Sequence, residues 1–195
     1  MTGRPLVTWK CATSLDGRVA GADGGPTAIT GAAAREQVHG LRAVVDAIVV
    51  GTGTALVDDP VLTARPTVGP PPTQPLRVVI GSRSLPPDAR ILDDSALTLV
   101  LDQSDPATVL NQLYARGVRH VLLEGGPTLA GAFLAARLID RADWYLAPVL
   151  LGDGPVALPV AIAEATAVGV DVEQVSVVGE DVRVQGWVTY DGERT

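Results

Sequence analysis

The residues best suited to chemistry in this sequence stand at 124–128, where a glutamate precedes two glycines, a proline and a threonine. An apolar run comes before them and a helix-like segment follows. Two glycines at a strand end let the backbone turn sharply and approach a ligand, and the first amides of the next helix face an anion. The pattern indicates a phosphate-binding junction, with an ordinary tight turn as the alternative. It is neither a P-loop nor a Rossmann GxGxxG.

A second glycine-rich segment, Gly51 to Thr54, follows another apolar strand-like run. It matches half of a dinucleotide fingerprint, with Leu56 where the third glycine would stand. Taken alone, it is as consistent with a plain turn as with a ligand loop. Two glycine-rich strand ends in one sheet favour a shared binding edge, because ligands of parallel sheets bind beyond the carboxyl ends of the strands.

Two further residues could bring charge to that edge. Lys10 lies inside an apolar run, where a buried ammonium is costly unless it is paired, and this favours an active-site role. Asp58, which precedes Asp59 and Pro60, is either a turn residue or a carboxylate at the same edge.

Basic residues also line one face of a predicted helix. Arg35, His39 and Arg42 follow the spacing i, i+4, i+7. They form a solvated basic stripe, or Arg42 acts with Arg65 from the following loop to hold a substrate phosphate.

The elements that must position these residues alternate between strand and helix. Apolar runs predict strands at 6–12, 47–50, 77–80, 97–101, 118–123 and 144–151. Helices are expected at 31–43, with Thr30 as N-cap, at 106–116 and at 128–138. Residues 66–75 contain five prolines and predict a loop, and 172–178 with 182–190 predict a hairpin turning at 179–181. This order predicts a single α/β domain, residues 1–195, with a mostly parallel central sheet, helices on both faces and a C-terminal antiparallel hairpin.

Composition narrows the classes of function. The formal net charge is −7 and no run of Lys or Arg occurs, so nucleic-acid binding is not expected. No segment has the length and apolarity of a membrane span, and the first residues lack the apolar core of a signal peptide. The single cysteine, Cys11, excludes an internal disulfide, and two histidines with one cysteine do not suit a zinc site. We therefore expect a cytoplasmic protein with no metal, no nucleic-acid partner and no membrane contact.

Eight segments together resemble the reductase domain of the bacterial bifunctional riboflavin-biosynthesis deaminase/reductase family, which has a dihydrofolate-reductase-like fold. They are 10–17 (KCATSLDG), 29–31 (ITG), 38–43 (VHGLRA), 46–54 (DAIVVGTGT), 58–65 (DDPVLTAR), 74–80 (QPLRVVI), 124–129 (EGGPTL) and 147–152 (APVLLG). Their order and spacing run from about residue 4 to residue 186, within a family-like segment of about 4–190.

The resemblance implies an NADPH-dependent reductase. Its substrate would be 5-amino-6-(5-phosphoribosylamino)uracil, or the 2,5-diamino analogue, and its product the ribityl compound. Hydride would attack C1′ of the opened sugar, drawn as an imine. The charges of Lys10 and Glu124 make them the candidate catalytic residues: we hypothesise that Lys10 positions or protonates the substrate and that Glu124 favours the cationic imine. A homodimer formed through 144–151 or the hairpin is also implied, with a separate deaminase elsewhere.

The resemblance further assigns binding residues. The cofactor site would comprise Ala12, Ala28, Thr30, Thr54, Asp58, Ser82, Gly125, Gly126, Pro127, Thr128 and Leu129, continuing along the helix to Ala132. The substrate would contact Arg42, Leu62, Arg65 and Glu124.

The chain departs from the family pattern at three places. Ala28 stands where the family usually carries a tryptophan beside the cofactor, a serine is replaced within 25–27, and Gly81 stands where an aspartate is common. Two other functions therefore stay open. One is a dihydrofolate or pterin reductase on the same fold, which needs neither Arg42 nor Arg65. The other is a degenerate dinucleotide-binding module.

Overall fold

A single eight-stranded sheet organises the computed structural model, which describes residues 3–25, 28–69, 73–158 and 168–190. In chain order the strands are β1 (Leu6–Ser14), β2 (Ala47–Gly51), β3 (Leu76–Ile80), β4 (Thr98–Leu101), β5 (His120–Leu123), β6 (Arg141–Ala147), β7 (Gly169–Val178) and β8 (Asp181–Thr189). They are ordered β4-β3-β2-β5-β1-β6-β8-β7. The pairs from β4 to β6 are parallel, and β8 joins β6 and β7 antiparallel.

Helices cover both faces of this sheet, as predicted. They are α1 (Ala32–Arg42), α2 (Thr52–Asp58), α3 (Pro106–Ala115) and α4 (Pro127–Ala135), with a 3-10 turn at Arg90–Leu92. Asp105 caps α3 by accepting a hydrogen bond from the Thr108 amide, and Pro106 begins the helix without losing a needed donor. The mostly parallel α/β fold with a C-terminal antiparallel hairpin is thereby confirmed.

Alternation along the strands divides the core into two layers, because successive side chains of a strand point to opposite faces. Val49 of β2 lies in the layer that contains Leu110 of α3 and Phe133 of α4. Val50, the next residue, lies in the opposite layer with Ala55 of α2. These layers hold the carboxyl ends of the central strands at one edge.

Several predicted boundaries were wrong. Gly31, not Thr30, is the N-cap of α1, and no side chain caps that helix. The glycine-rich segment after β2 is not a loop, since α2 begins directly at Thr52. The strand predicted at 144–151 begins earlier, at Arg141, and ends at Ala147, because Pro148 has no amide to donate to the sheet.

The predicted hairpin is present in the structure, whereas the predicted proline-rich loop is described only in part. β7 and β8 turn through Gly179, whose φ of 65° is the left-handed conformation that glycine adopts readily. Within the predicted loop, residues 66–69 and 73–75 are neither helix nor strand, and 70–72 lie outside the described residues. No helix in the described part of the chain is long and apolar enough to cross a membrane.

A buried arginine that sequence patterning missed holds two loops to the sheet. Arg77 of β3 is 0% exposed, and its guanidinium donates to the carbonyls of Val61, Asp93 and Ala96. It also donates to the Asp93 carboxylate over 2.7 Å. Arg77 thus ties the loop after α2 to the segment before β4, and the first of these carries two of the predicted substrate residues.

Candidate active-site cleft

The carboxyl ends of the parallel strands open into a cleft of about 1000 Å³. The structure brings both glycine-rich segments, 51–54 and 125–126, to this cleft. Most of the residues assigned to cofactor, substrate and catalysis line it together: Lys10, Ala12, Ala28, Thr30, Arg42, Thr54, Asp58, Glu124, Gly125, Gly126, Pro127, Thr128 and Leu129.

Four assigned residues do not line the cleft, and one of them is Gly131, which is buried within α4. Ser82 is exposed and lies between two residues that do, Gly81 and Arg83. Leu62 is only 3% exposed, because it packs into the core layer beside α2. Arg65 is exposed and lines a separate pocket of about 350 Å³.

Arg42 and Glu124 form an ion pair in the wall of the cleft. The Nε and Nη2 atoms of Arg42 donate to the two carboxylate oxygens of Glu124 over 2.7 and 2.8 Å. The two side chains are 14% and 9% exposed. Helix α1 presents the arginine and the end of β5 presents the glutamate, so residues 82 positions apart in sequence meet here.

The ion pair with Arg42 stabilises the ionised form of Glu124. Burial by itself raises the pKa of Glu124, but the charge and hydrogen bonds of Arg42, with a smaller contribution from Lys10, bring that pKa below its ordinary value of 4.5. Glu124 is therefore ionised at neutral pH. The same contacts engage two of the donors of Arg42, and its Nη1 faces the Thr63 carbonyl at 3.4 Å.

Lys10 projects into the cleft from β1 without forming an ion pair with any described residue. Its Nζ lies 5.8 Å from the centre of the Tyr145 ring. The neighbouring carboxylate in the sheet register is Asp143, which is instead paired with Arg183 through an Nε–Oδ1 distance of 2.7 Å. The ammonium of Lys10 consequently stays free to face a ligand.

Some of the backbone amides at the start of α4 are unable to bind an anion. The Gly126 amide donates to the Thr54 hydroxyl over 3.1 Å, and Pro127 has no amide hydrogen. A Cβ on Gly125 would lie 2.4 Å from Leu129 Cδ2, so packing against α4 already requires glycine there. The Thr128 amide makes no hydrogen bond with the described residues and is available to an anion.

Asp58 and Ala28 complete the walls of the cleft. Burial raises the pKa of Asp58, which lies at the end of α2. Ala28 is exposed and lines the cleft with only a methyl side chain. Of the neighbouring departure at 25–27, residues 26 and 27 lie outside the described residues.

Sequence reasoning missed the residues at the far end of the cleft. Arg83 follows β3, and Gln103 and Ser104 follow β4. The available signal was their position just after predicted parallel strands, which is where ligands of such sheets are bound.

An open, mostly parallel sheet with one large cleft across its carboxyl edge defines an α/β protein that binds small molecules there. The chain belongs to the family described as the RibD C-terminal domain, whose model matches residues 5–184. The family resemblance predicted from the sequence is confirmed.

Similar proteins are found among both sequences and solved structures. The riboflavin biosynthesis protein RibD of Mycobacterium tuberculosis is 57% identical over 156 residues, which are 80% of this chain and 45% of that protein. The 2,5-diamino-6-ribosylamino-4(3H)-pyrimidinone 5′-phosphate reductase of Methanothermobacter thermautotrophicus is 32% identical over 212 residues, covering 93% of this chain and 97% of that protein. The structure of Acinetobacter baumannii RibD matches with a TM-score of 0.85 and 30% identity, over 96% of this chain and 59% of the other. The chain thus spans about half the length of these RibD proteins.

Proposed function

We propose that this chain is an NADPH-dependent reductase of riboflavin biosynthesis that reduces the ribosyl side chain of a ribosylaminopyrimidine 5′-phosphate. The observation that carries the proposal is the joint presence of Lys10, the Arg42–Glu124 pair and the glycine-rich start of α4 in one cleft. Its relative in Methanothermobacter, which is matched over nearly its whole length, bears the name of such a reductase.

The residues of the cleft fit a nicotinamide dinucleotide. The volume of about 1000 Å³ is at the upper end for ligand pockets and leaves room for a second molecule. Gly126 has no side chain to obstruct a pyrophosphate, and the free Thr128 amide at the start of α4 suits its negative charge. When bound, NADPH supplies the hydride.

Lys10 and Glu124 have opposite charges, and in the proposed reaction both face C1′ of the substrate. Reduction of a ring-opened sugar imine to an amine adds one hydride at C1′ and one proton at nitrogen. The free ammonium of Lys10 is suited to supply that proton. The ionised carboxylate of Glu124, oriented by Arg42, favours the cationic imine that accepts hydride.

The two arginines proposed for the substrate phosphate meet at Thr63. Arg42 Nη1 faces the Thr63 carbonyl at 3.4 Å, while Arg65 Nη1 donates to the Thr63 hydroxyl. We propose that a phosphate enters between them and is held by the donors that Glu124 leaves free. Leu62, which packs beneath this loop, acts by holding its shape.

The decisive experiment follows NADPH absorbance with three substrates in turn: the phosphoribosylaminopyrimidine, its 2,5-diamino analogue and dihydrofolate. Oxidation with either pyrimidine supports the proposal, and the preferred one decides between them. If the deaminated pyrimidine is the substrate, a deaminase must act first. Turnover of dihydrofolate alone would identify a pterin reductase, and NADPH binding without any turnover would identify a binding module.

The role proposed for Lys10 has its own test. Lys10→Ala is expected to lower kcat by about 100-fold, the usual contribution of a positioned acid or base. Lys10→Arg keeps the charge but not an ammonium that can give up its proton, and is expected to restore binding more than turnover. Unchanged thermal stability would confirm that both variants are folded. A Lys10→Ala enzyme with normal turnover would remove this residue from the mechanism.

We also propose a homodimer formed through the apolar face of the β7–β8 hairpin. Val170, Val172, Val175 and Val177 of β7 pair along one face of the hairpin and are 41–77% exposed. An apolar row on an edge strand suits burial against a second copy. Val177→Glu is expected to give monomers in sedimentation analysis, whereas Leu150→Glu, at an exposed site after β6, is expected to leave the dimer intact.

We further propose that the enzyme acts in the cytoplasm and that residues 1–195 form a single reductase domain. A lone, buried cysteine agrees with a reducing compartment. The one continuous sheet of the described residues supports the single-domain assignment.

A further inference from the structure

Two side chains of α1 hold the loop that carries Arg65. Glu36 Oε1 accepts a hydrogen bond from the Thr67 amide over 2.6 Å, and His39 Nδ1 accepts one from the Arg65 amide over 3.2 Å. The two acceptors follow each other on α1 in the order opposite to that of the two donors in the loop. Residues 63–67 therefore run antiparallel to the helix and are attached to it through their backbone.

The other side of this loop is fixed by a glutamine. Gln74 Oε1 accepts from the Ala64 amide over 2.8 Å, and Gln74 Nε2 donates to the Ala64 carbonyl over 3.0 Å. Thr63 and Ala64 are buried, whereas Arg65 is exposed. In the described part of the chain, the ring of His39 is the hydrogen-bond partner of the Arg65 backbone. The position of Arg65 therefore depends on that ring.

The hydrogen bond with Arg65 requires a particular state of the imidazole. A backbone amide donates, so Nδ1 of His39 must be unprotonated to accept. Burial, and then the charges of two arginines, lower the pKa of His39 below 6.5, and smaller contributions from Thr63 and Glu36 oppose them. His39 is therefore neutral near pH 7. The charged groups that interact with the ring are Glu36 and Arg42 of α1, Arg65 of the loop and Glu124 at the end of β5.

We infer that His39 is a positioning residue for the substrate phosphate: its unprotonated Nδ1 fixes the Arg65 backbone, and the loop held in this way presents the Arg65 guanidinium to the phosphate. This inference rests on the proposed function, in which Arg42 and Arg65 bind that phosphate. His39 does not line the cleft, so it acts through Arg65.

Protonation distinguishes this role from direct binding of the phosphate. A protonated Nδ1 would place a second donor against the Arg65 amide and release the loop. Phosphate binding would then weaken on acidification, although the site gains a positive charge. A histidine in contact with the phosphate would show the opposite dependence, because its protonated form attracts the anion.

Two substitutions separate the acceptor from the bulk of the ring. His39→Phe keeps an aromatic ring without an acceptor, and it is expected to raise KM for the phosphorylated pyrimidine by about 3–10-fold at constant kcat, the effect of losing one hydrogen bond. KM for the dephosphorylated pyrimidine should be the same in His39→Phe and wild type. His39→Asn puts an amide oxygen close to the position of Nδ1 and should restore most of the affinity. Thermal unfolding verifies that both variants are folded.

The pH profile of KM is a second readout, measured between about pH 5 and 8. Wild-type KM for the phosphorylated pyrimidine should rise, relative to that of His39→Asn, as the pH falls through the lowered pKa of His39. Comparing the two enzymes at each pH cancels the titration of the substrate phosphate, whose second pKa is about 6. His120→Gln is the matched control and should follow the wild-type profile, because His120 contacts the Thr8 hydroxyl at the start of β5.

Three results would overturn the inference and leave the proposed reductase in place. They are an unchanged KM in His39→Phe, an equal rise in KM for the dephosphorylated pyrimidine, and a wild-type KM that falls on acidification relative to His39→Asn. If the wild type oxidises NADPH with neither pyrimidine, the proposed function fails and this inference with it.

Discussion

Replacing Glu124 by glutamine tests how far the paired charges of Arg42 and Glu124 stabilise the fold. The substitution keeps the shape of the side chain and removes its charge. Arg42 then loses its ionic partner while 14% of its side chain is exposed, and one of its two charge-assisted hydrogen bonds has no equivalent acceptor.

The expected cost follows from burial and geometry. Removing one partner of a buried pair costs roughly 3–5 kcal/mol. The glutamine oxygen still accepts one hydrogen bond and solvent reaches part of Arg42, so we expect about 2–3 kcal/mol of unfolding free energy. For a chain of 195 residues this corresponds to a fall in Tm of roughly 4–12 °C.

The pH dependence of the stability difference between wild type and Glu124→Gln tests whether the charge of Glu124 is its cause. Burial opposes ionisation of Glu124, but Arg42 and then Lys10 outweigh it and lower its pKa below 4.5. A carboxyl with a lowered pKa in the folded state contributes stability above its unfolded pKa and loses it as the pH falls through the folded value. The stability difference between wild type and Glu124→Gln is therefore expected to be constant near neutral pH and to shrink below about pH 4.5.

Urea unfolding across that pH range is the assay, with Arg42→Gln and the double variant completing a thermodynamic cycle. Glu173→Gln is the matched control, because its pair with Arg141 is exposed and should contribute under about 1 kcal/mol. The reasoning would be refuted by a Glu124→Gln protein as stable as wild type at neutral pH, or by single effects that simply add.

Three further outcomes are expected. Gly125→Ala should destabilise the protein by about 1–3 kcal/mol in urea unfolding, since its Cβ would lie 2.4 Å from Leu129 Cδ2. Gly126→Ala is the control and should cost less, because its Cβ would lie 3.4 Å from its nearest neighbour. Equal effects of the two substitutions would contradict this packing argument. Arg77→Met should lower the free energy of unfolding by about 1–3 kcal/mol, because the carbonyls of Val61, Asp93 and Ala96 lose a charged hydrogen-bond donor. An unchanged free energy of unfolding would be inconsistent with these contacts. Burial raises the pKa of the Cys11 thiol to about 12. The folded protein should therefore resist thiol alkylation at about pH 8 and react once it is unfolded in urea. Rapid labelling of the native protein would contradict this prediction, because it would show that the thiol is accessible.

Much of the architecture could be predicted from local pattern. Runs such as 47–50 and 121–123 are apolar at every position, which is typical of strands covered on both faces. Asp105, Pro106 and Gly117 identify the two ends of α3, because capping, a missing donor and a left-handed glycine are each local effects. Boundaries failed where the competing signals were weak, as at Gly51, where a helix begins directly after the strand.

The sequence by itself determined the α/β class, the glycine-rich strand ends and, through the order of its motifs, the family. Those properties depend on short stretches of chain, whose periodicity and backbone preferences are set within a few residues. Only the tertiary structure decided that Arg42 binds Glu124, that Arg77 is fully buried and that Arg83 lines the cleft. Side chains of one charge look alike in a sequence, and their partners come from strands and helices far along the chain, so burial and pairing exist only once the sheet has brought them together.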